Sequence, residues 1–308
     1  MKGSAKLAGT AIVIGLAAIG VLEIGRYRAR AGVVAATAGF SGERAFGDLR
    51  HLVDLGPRPP ASPAHARARE YISRQLRAAG VELWDDSFVA ATPVGNVPLT
   101  NIIGVVGGAS STVVIVGGHY DTARLEGVHF VGANDGGSSA AFLLEMARVL
   151  GSRRNRLTYW VVFFDGEEAL KQWSAEDSLY GSRHLAGRLA REGTLNRVKA
   201  IILVDMVADR DLNILHELNS TPWLTDLVFS SARQLGYASS FSSGTFPVED
   251  DHLPFLRNGV PAVDIIDLTP FKTYHHTARD TIDRCSPESL AVIGRVVLAM
   301  LARLERSG

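Results

Sequence analysis

The stretch Tyr159-Trp-Val-Val-Phe-Phe-Asp-Gly-Glu-Glu168 decides the fold. An apolar run, rich in β-branched and aromatic residues, stops abruptly in three carboxylates. It lacks polar alternation, so it reads as a strand buried on both faces of a parallel sheet with helices on each side. The residues that follow leave at the carboxyl edge of that sheet, where open α/β folds carry their sites. Glu167 and Glu168 are adjacent there. Two carboxylates that cannot relax apart need a cation, a shared proton, or both. One as metal ligand and its neighbour as proton carrier is the economical assignment. The plainer alternative is a helix N-terminus decorated with acids.

Other segments repeat the design. Val113-Val-Ile-Val-Gly-Gly-His119-Tyr-Asp121 is an apolar strand ending in glycines and a His-x-Asp pair, and Ala200-Ile-Ile-Leu-Val-Asp205 is another ending in an acid. Gly132-Ala-Asn-Asp135-Gly-Gly-Ser-Ser opens a helical pattern, and Tyr274-His275-His276-Thr277-Ala-Arg-Asp280-Thr281 lies in a loop before the last helix. Taken singly, His119 reads as a satisfied structural histidine and Asp135 as a helix cap. Taken together, five segments deliver His, Asp or Glu, three of them at strand ends. Nitrogen and oxygen donors without thiolate suit zinc, with manganese or another divalent ion as the alternative.

The chain has 308 residues, enough for one large α/β domain. Lys plus Arg equals Asp plus Glu at 32 each, so no global field favours nucleic acid. The glycines from Gly132 to Gly137 are not followed by the Lys-Ser/Thr of a phosphate-binding loop. The single cysteine, Cys285, excludes an internal disulfide and a thiolate zinc site, and reads as a small helix-flanking residue. At the N-terminus, Lys2 and Lys6 precede sixteen apolar or small residues, Leu7 to Leu22, followed by Arg26, Arg28 and Arg30. This pattern is expected to be an uncleaved membrane anchor or an export signal, placing the catalytic domain outside the cytoplasm. Residues 1–38 are assigned to the anchor or signal and its tether, and 39–308 to the catalytic domain.

Along that domain, helices are expected over Phe46–Leu55, Ala64–Ala79, 137–150, 181–191, 222–235 and Pro287–Glu305. Between the first two lies the helix-breaking loop Gly56-Pro-Arg-Pro-Pro-Ala-Ser-Pro63. Strands are expected over Val81–Ala90, Leu99–Val106, 112–118, 158–164, 199–205 and Val260–Leu268, the first two joined by the turn-rich segment Thr92 to Pro98. The alternation predicts one α/β domain with a mostly parallel mixed sheet flanked by helices, the first two strands forming an antiparallel edge.

From Phe46 to Leu301 the sequence resembles the zinc aminopeptidase superfamily and, within it, the glutaminyl cyclases. The superfamily pattern is His119-x-Asp121, Asp135, Glu167-Glu168, Asp205 and His276-Thr277. The narrower pattern is Phe163-Phe-Asp-Gly-Glu-Glu-Ala-Leu, then Trp173-Ser-x-x-Asp177-Ser-Leu-Tyr-Gly-Ser-Arg-His-Leu-Ala186. Asp250-Asp-His252-Leu-Pro-Phe-Leu-Arg-Asn-Gly-Val-Pro261 and Phe88-x-x-x-Thr-Pro-x-Gly95 match as well. The resemblance implies one zinc held by Asp135, Glu168 and His276. It implies Glu167 as proton shuttle, linked to Asp205 and Asp250 in a hydrogen-bonded acid network. Trp173, Phe271 and the residue before the zinc histidine, here His275, would line the pocket for a glutaminyl side chain. The superfamily also suggests a cis peptide at Asp135–Gly136. The implied partners are peptides or proteins with an N-terminal glutamine, and the chain is expected to be a monomer attached to the membrane through its N-terminal segment.

Two departures stand out. His275 occupies a position usually held by tryptophan, which makes the pocket wall smaller and more polar and offers a competing ligand. The cysteine pair that often flanks the first metal-side strand is missing, with Gly118 at the expected first position. The alternative activity is that of a two-zinc aminopeptidase, with His119, Asp135 and Asp205 holding the second ion and Glu167 activating water. A more remote alternative, from another class, is an inactive membrane-tethered binding protein.

Overall fold

The computed structural model describes Thr37, residues 39–268 and residues 272–306. The expected anchor, Leu7 to Leu22, and the expected pocket residue Phe271 lie outside the described residues. Among the described residues no helix is long and apolar enough to cross a membrane.

A six-stranded sheet runs in the order β1-β2-β4-β3-β5-β8. Its strands are β1 (Glu82–Thr92), β2 (Gly95–Val106), β3 (Val113–His119), β4 (Thr158–Phe164), β5 (Val198–Asp205) and β8 (Ala262–Ile266). β3 is parallel to both β4 and β5, and β5 is parallel to β8, whereas β1 and β2 form the antiparallel edge. The decisive stretch is β4, one strand in from that edge. Tyr159, Val161 and Phe163 enter the core on one face, and Val162 and Phe164 enter the core on the other. Both faces are apolar because both are covered, which is why the strand reads as an unbroken hydrophobic run. β3 repeats this, with Val114 and Val116 on the first face and Val113 and Ile115 on the second.

The first face packs on α1 (Gly42–Asp54), α2 (Pro63–Ala78), α3 (Ser139–Gly151), α5 (Pro222–Leu235) and α7 (Pro287–Leu304). The second packs on α4 (Tyr180–Arg191) and the short α6 (Leu253–Arg257). Helix starts follow local chemistry. Ser41, Ser62 and Ser286 each accept a backbone N–H of the first turn, and Pro63 and Pro287 follow the latter two where no donor is needed. The proline-rich loop holds a residue that its composition did not flag. Arg58 is fully buried and donates to the carbonyls of Leu52, Gly56, Tyr120, Val131 and Gly132, tying the loop to the segment that carries Asp135. Burial lowers its pKa to about 10, against the pull of Asp280 and Asp121.

Three expectations need correction. The turn between β1 and β2 is only Pro93-Val94, because Thr92 pairs with Gly95 and β2 begins there. Pro98 lies inside β2, in the half that pairs with β1 alone, so its missing N–H breaks no second ladder. A second, two-stranded sheet of β6 (Ile214–Glu217) and β7 (Phe241–Phe246) was not anticipated. Every described peptide bond is trans, including Asp135–Gly136. The sharp turn there is made by Gly136 at φ +74°, where a Cβ would lie 2.2 Å from the Asp121 carbonyl and 3.0 Å from the His119 ring. Only glycine fits. Gly118 is equally constrained by contact, since a Cβ would meet the Val204 carbonyl at 2.6 Å and Ser139 at 2.9 Å. A larger residue there would push β3 off β5 and α3.

Candidate active site

Parallel strands deliver their last residues to one edge. β3 ends at His119, β4 is followed by Glu167 and Glu168, β5 ends at Asp205, and β8 is followed by Leu268. These ends, with the loops after β7 and β8, surround a cavity of about 420 Å³. Asp135, Glu167, Glu168, Trp173, Asp205, Asp250, His275 and His276 all line it. His119 does not line the cavity but lies behind it, against Asp135 and Asp205, so the fold brings every expected site residue that it describes to this edge. The reading of the sequence missed the apolar side of the cavity, formed by Phe246, Val248, Ile266 and Leu268, and also Glu249 at its rim. The available signals were the apolar pair flanking Pro247 just before Asp250, and the position of Ile266 at a strand's carboxyl end.

Not every carboxylate of the decisive stretch faces the cavity. Asp165 turns inward and accepts hydrogen bonds from the Thr100 N–H at 2.6 Å and the Tyr120 hydroxyl at 2.9 Å, with His65 Nε2 at 2.8 Å. It fastens β4 to its neighbours. Asp121 accepts the backbone N–H of Glu167 and of Glu168, which fixes the turn that presents both. Asp280 clamps the opposite side by accepting the N–H of Asn134 at 2.8 Å and of Asp135 at 3.0 Å. Asn134 in turn donates to the Tyr274 hydroxyl at 2.9 Å, tying the Asp135 turn to the histidine loop. Asp177 holds the Trp173 loop through the N–H groups of Leu170, Lys171 and Gln172 and the Tyr180 hydroxyl. Trp173 remains 37 % exposed, its indole N–H directed at Glu249.

Two sets of donors lie mutually within 4.8 Å: His119, Asp135 and Asp205, and Asp135, His275 and His276. In the first, His119 Nε2 is 3.3 Å from Asp135 and 3.1 Å from Asp205. In the second, His276 Nε2 is 3.3 Å from Asp135 Oδ2 and 3.1 Å from Glu168. Glu168 thus joins the expected trio through His276, while its Oε1 also accepts the Ala123 N–H. Asp205 takes its hydrogen bonds from His119 and Ser139, so the acid network expected around Glu167 does not run through a direct bond from His119's partner to the glutamate.

The electrostatics describe a buried excess of negative charge. Burial, reinforced by Glu168, Asp250 and Asp251, holds Glu167 well above the usual carboxylate range despite His119. Burial and Asp135 raise Glu168 to about 7. Burial, Asp205 and Asp251 raise Asp250 strongly. Asp135 goes the other way, because the close approach of His119 and His276 outweighs its burial. Asp135 and Glu168 in turn draw a proton onto His276, whose pKa rises to about 10 although burial opposes it. Asp135 Oδ2 and His119 Nδ1 are buried without a hydrogen-bond partner. A divalent cation would satisfy this set: imidazole and carboxylate donors, a negative surplus, and an orphaned oxygen facing two rings. Cys285 takes no part; burial raises its thiol pKa, as expected of an inert packing residue.

The profile of peptidase family M28 matches residues 101–301. The glutaminyl-peptide cyclotransferase of Drosophila melanogaster is 32 % identical over 279 residues, covering 80 % of this chain and 78 % of the relative. The crystal structure of a glutaminyl cyclase from an Acidobacteriales bacterium superposes with a TM-score of 0.83 at 41 % identity, covering 87 % of this chain and 96 % of that one. A zinc-dependent exopeptidase from Parabacteroides distasonis gives 0.77 at 25 % identity, over 85 % and 98 % of the two chains.

Proposed function

The chain belongs to peptidase family M28 and, within it, to the glutaminyl-peptide cyclotransferases, and from that premise we infer that it converts N-terminal glutamine to pyroglutamate with release of ammonia. One observation carries the reading to the site: Glu167 is buried, is held well above the usual carboxylate range by that burial, and faces a cavity bounded by Trp173 and His275.

Ring closure joins the substrate's α-nitrogen to its side-chain amide carbon and breaks the bond to the amide nitrogen. The α-amine loses a proton, and the departing nitrogen gains one. Glu167 makes both transfers, first as base and then as acid. A carboxyl whose pKa is raised towards the working pH is suited to both. Asp250 sustains that pKa by charge alone, and Asp205 orients His119. Asp135, Glu168 and His276 would hold one zinc, which supplies Lewis-acid polarisation of the side-chain amide when bound. Trp173, His275, Phe246, Val248 and Ile266, which line the cavity, fold the glutaminyl side chain towards its own amine and exclude water. Because the attack is intramolecular, this confinement supplies much of the rate.

The buried set of His119, Asp135 and Asp205 supports a second reading, a two-zinc aminopeptidase, and a zinc-dependent exopeptidase is among the structural neighbours. The residues would accommodate it; family membership favours cyclisation. The basic, then apolar segment up to Leu22 supports attachment to, or export across, a membrane. A monomer that acts on N-terminal glutamine peptides completes the proposal.

Ammonia release from a glutamine-initiated peptide tests it. The wild-type enzyme is expected to release ammonia, and Glu167→Gln to lose at least about a hundredfold in rate with zinc still bound. Loss of metal in that variant would instead make Glu167 the ligand.

A further inference from the structure

His275 stands where the resemblance expects a pocket wall and does line the cavity, yet its ring is also turned towards Asp135. His276 has a left-handed backbone at φ +52°, a conformation that is strained for a non-glycine residue. Successive side chains ordinarily diverge, by about 100° in a helix and 180° in a strand. Here the two rings stack instead, with centroids 3.9 Å apart and planes 23° from parallel. Both Nε2 atoms face the same acceptor: Asp135 Oδ2 lies 3.3 Å from His276 and 3.5 Å from His275. That oxygen is buried and has no hydrogen-bond partner.

The distances have a simple interpretation. Four donors arranged tetrahedrally about zinc, each at about 2.0–2.1 Å, are separated from one another by about 3.3 Å. The pairs His276–Asp135 and Asp135–His275 measure 3.3 and 3.5 Å, and the His275 and His276 donors lie within 4.8 Å of each other. His275 belongs to the compact donor set around Asp135, whereas Glu168 does not. We propose that His275 is a ligand of the same cation as Asp135 and His276, so that this centre carries two imidazoles and the pocket wall is part of the metal site. This deepens the proposed function and rests on its reading of the site as a zinc centre.

X-ray absorption at the zinc edge tests it on the intact chain loaded with one equivalent of zinc. The wild type is expected to show scattering from two imidazoles and His275→Ala from one, whereas His119→Ala still shows two. Competition with a chelator is expected to show at least about tenfold weaker zinc binding in His275→Ala, the lower bound even for an outer partner of a ligand. His275→Asn, which keeps a polar side chain, should reproduce both changes if the alanine variant is unstable. A wild-type spectrum with a single imidazole, or a count that does not fall in either variant, would overturn the proposal. The product assay separates the two claims. Pyroglutamate formation with a one-imidazole spectrum would refute ligation alone, and release of the first residue with a two-imidazole spectrum would refute cyclisation alone.

Discussion

Single residues at this site have separable tasks because the fold gives neighbouring carboxylates different surroundings. Glu167 and Glu168 share one turn, yet Glu168 is bonded to His276 and the Ala123 N–H while Glu167 faces the acids Asp250 and Asp251. This difference is what the proposed function rests on when it assigns one to the metal and the other to the proton. The residues alone gave a pair of adjacent acids without an order, because spacing cannot say which partner each will meet; the order came from the resemblance. Asp165 shows the same limit: first in the acidic run, it is consumed by Thr100, Tyr120 and His65. With one zinc, His276→Ala is expected to lose metal, while His119→Ala keeps full stoichiometry by elemental analysis. A halving of metal content in His119→Ala would mean that two ions are bound.

At the level of elements, the loop after β4 is the part most exposed to a single substitution. Its Trp173 borrows its position from Asp177, which accepts three consecutive N–H groups at 2.9–3.0 Å. Asp177→Ala leaves those donors without their acceptor, a loss of about 1–3 kcal/mol. Steady-state kinetics should show KM for glutamine peptides rising several-fold, with kcat changed much less. An equal fall in kcat would place the loop in the chemistry itself. The main strands and long helices were readable because their apolar periodicity is strong and their caps are conventional. β6, β7 and α6 were not: β6 spans four residues, β7 is Phe-Ser-Ser-Gly-Thr-Phe, and α6 spans five. Segments that short are defined by tertiary contact more than by local pattern. The same applies to the apolar side of the cavity, which β7 and β8 assemble from a distance in sequence.

Across the whole molecule, the site concentrates protons that a cation would replace. Glu168, Asp251 and Asp280 have pKa values raised to about 7 and Asp267 to about 6, burial leading in each case, and His276 is raised to about 10. Carboxyls in the unfolded chain titrate near 4 and histidine near 6.5. Between about pH 4 and 7 the folded state therefore holds more protons than the unfolded state, and stability falls as pH rises through that window. The His276 contribution has the same sign, being complete below the unfolded value and lost as pH approaches 10. Acids that are depressed on folding, such as Glu217 at about 2, remove stability only below about pH 4. Thermal melts of chelator-treated protein should thus show Tm declining from pH 5 to pH 8. The gain on adding zinc should grow over the same range, because metal binding displaces those protons. A Tm without pH dependence in the chelated protein would contradict this charge distribution. The central claim is the reaction, and mass spectrometry of a glutamine-initiated peptide incubated with the zinc-loaded enzyme tests it most directly. The predicted result is a mass decrease equal to one ammonia, faster than the spontaneous reaction and abolished by a chelator. A peptide shortened by its first residue would contradict it.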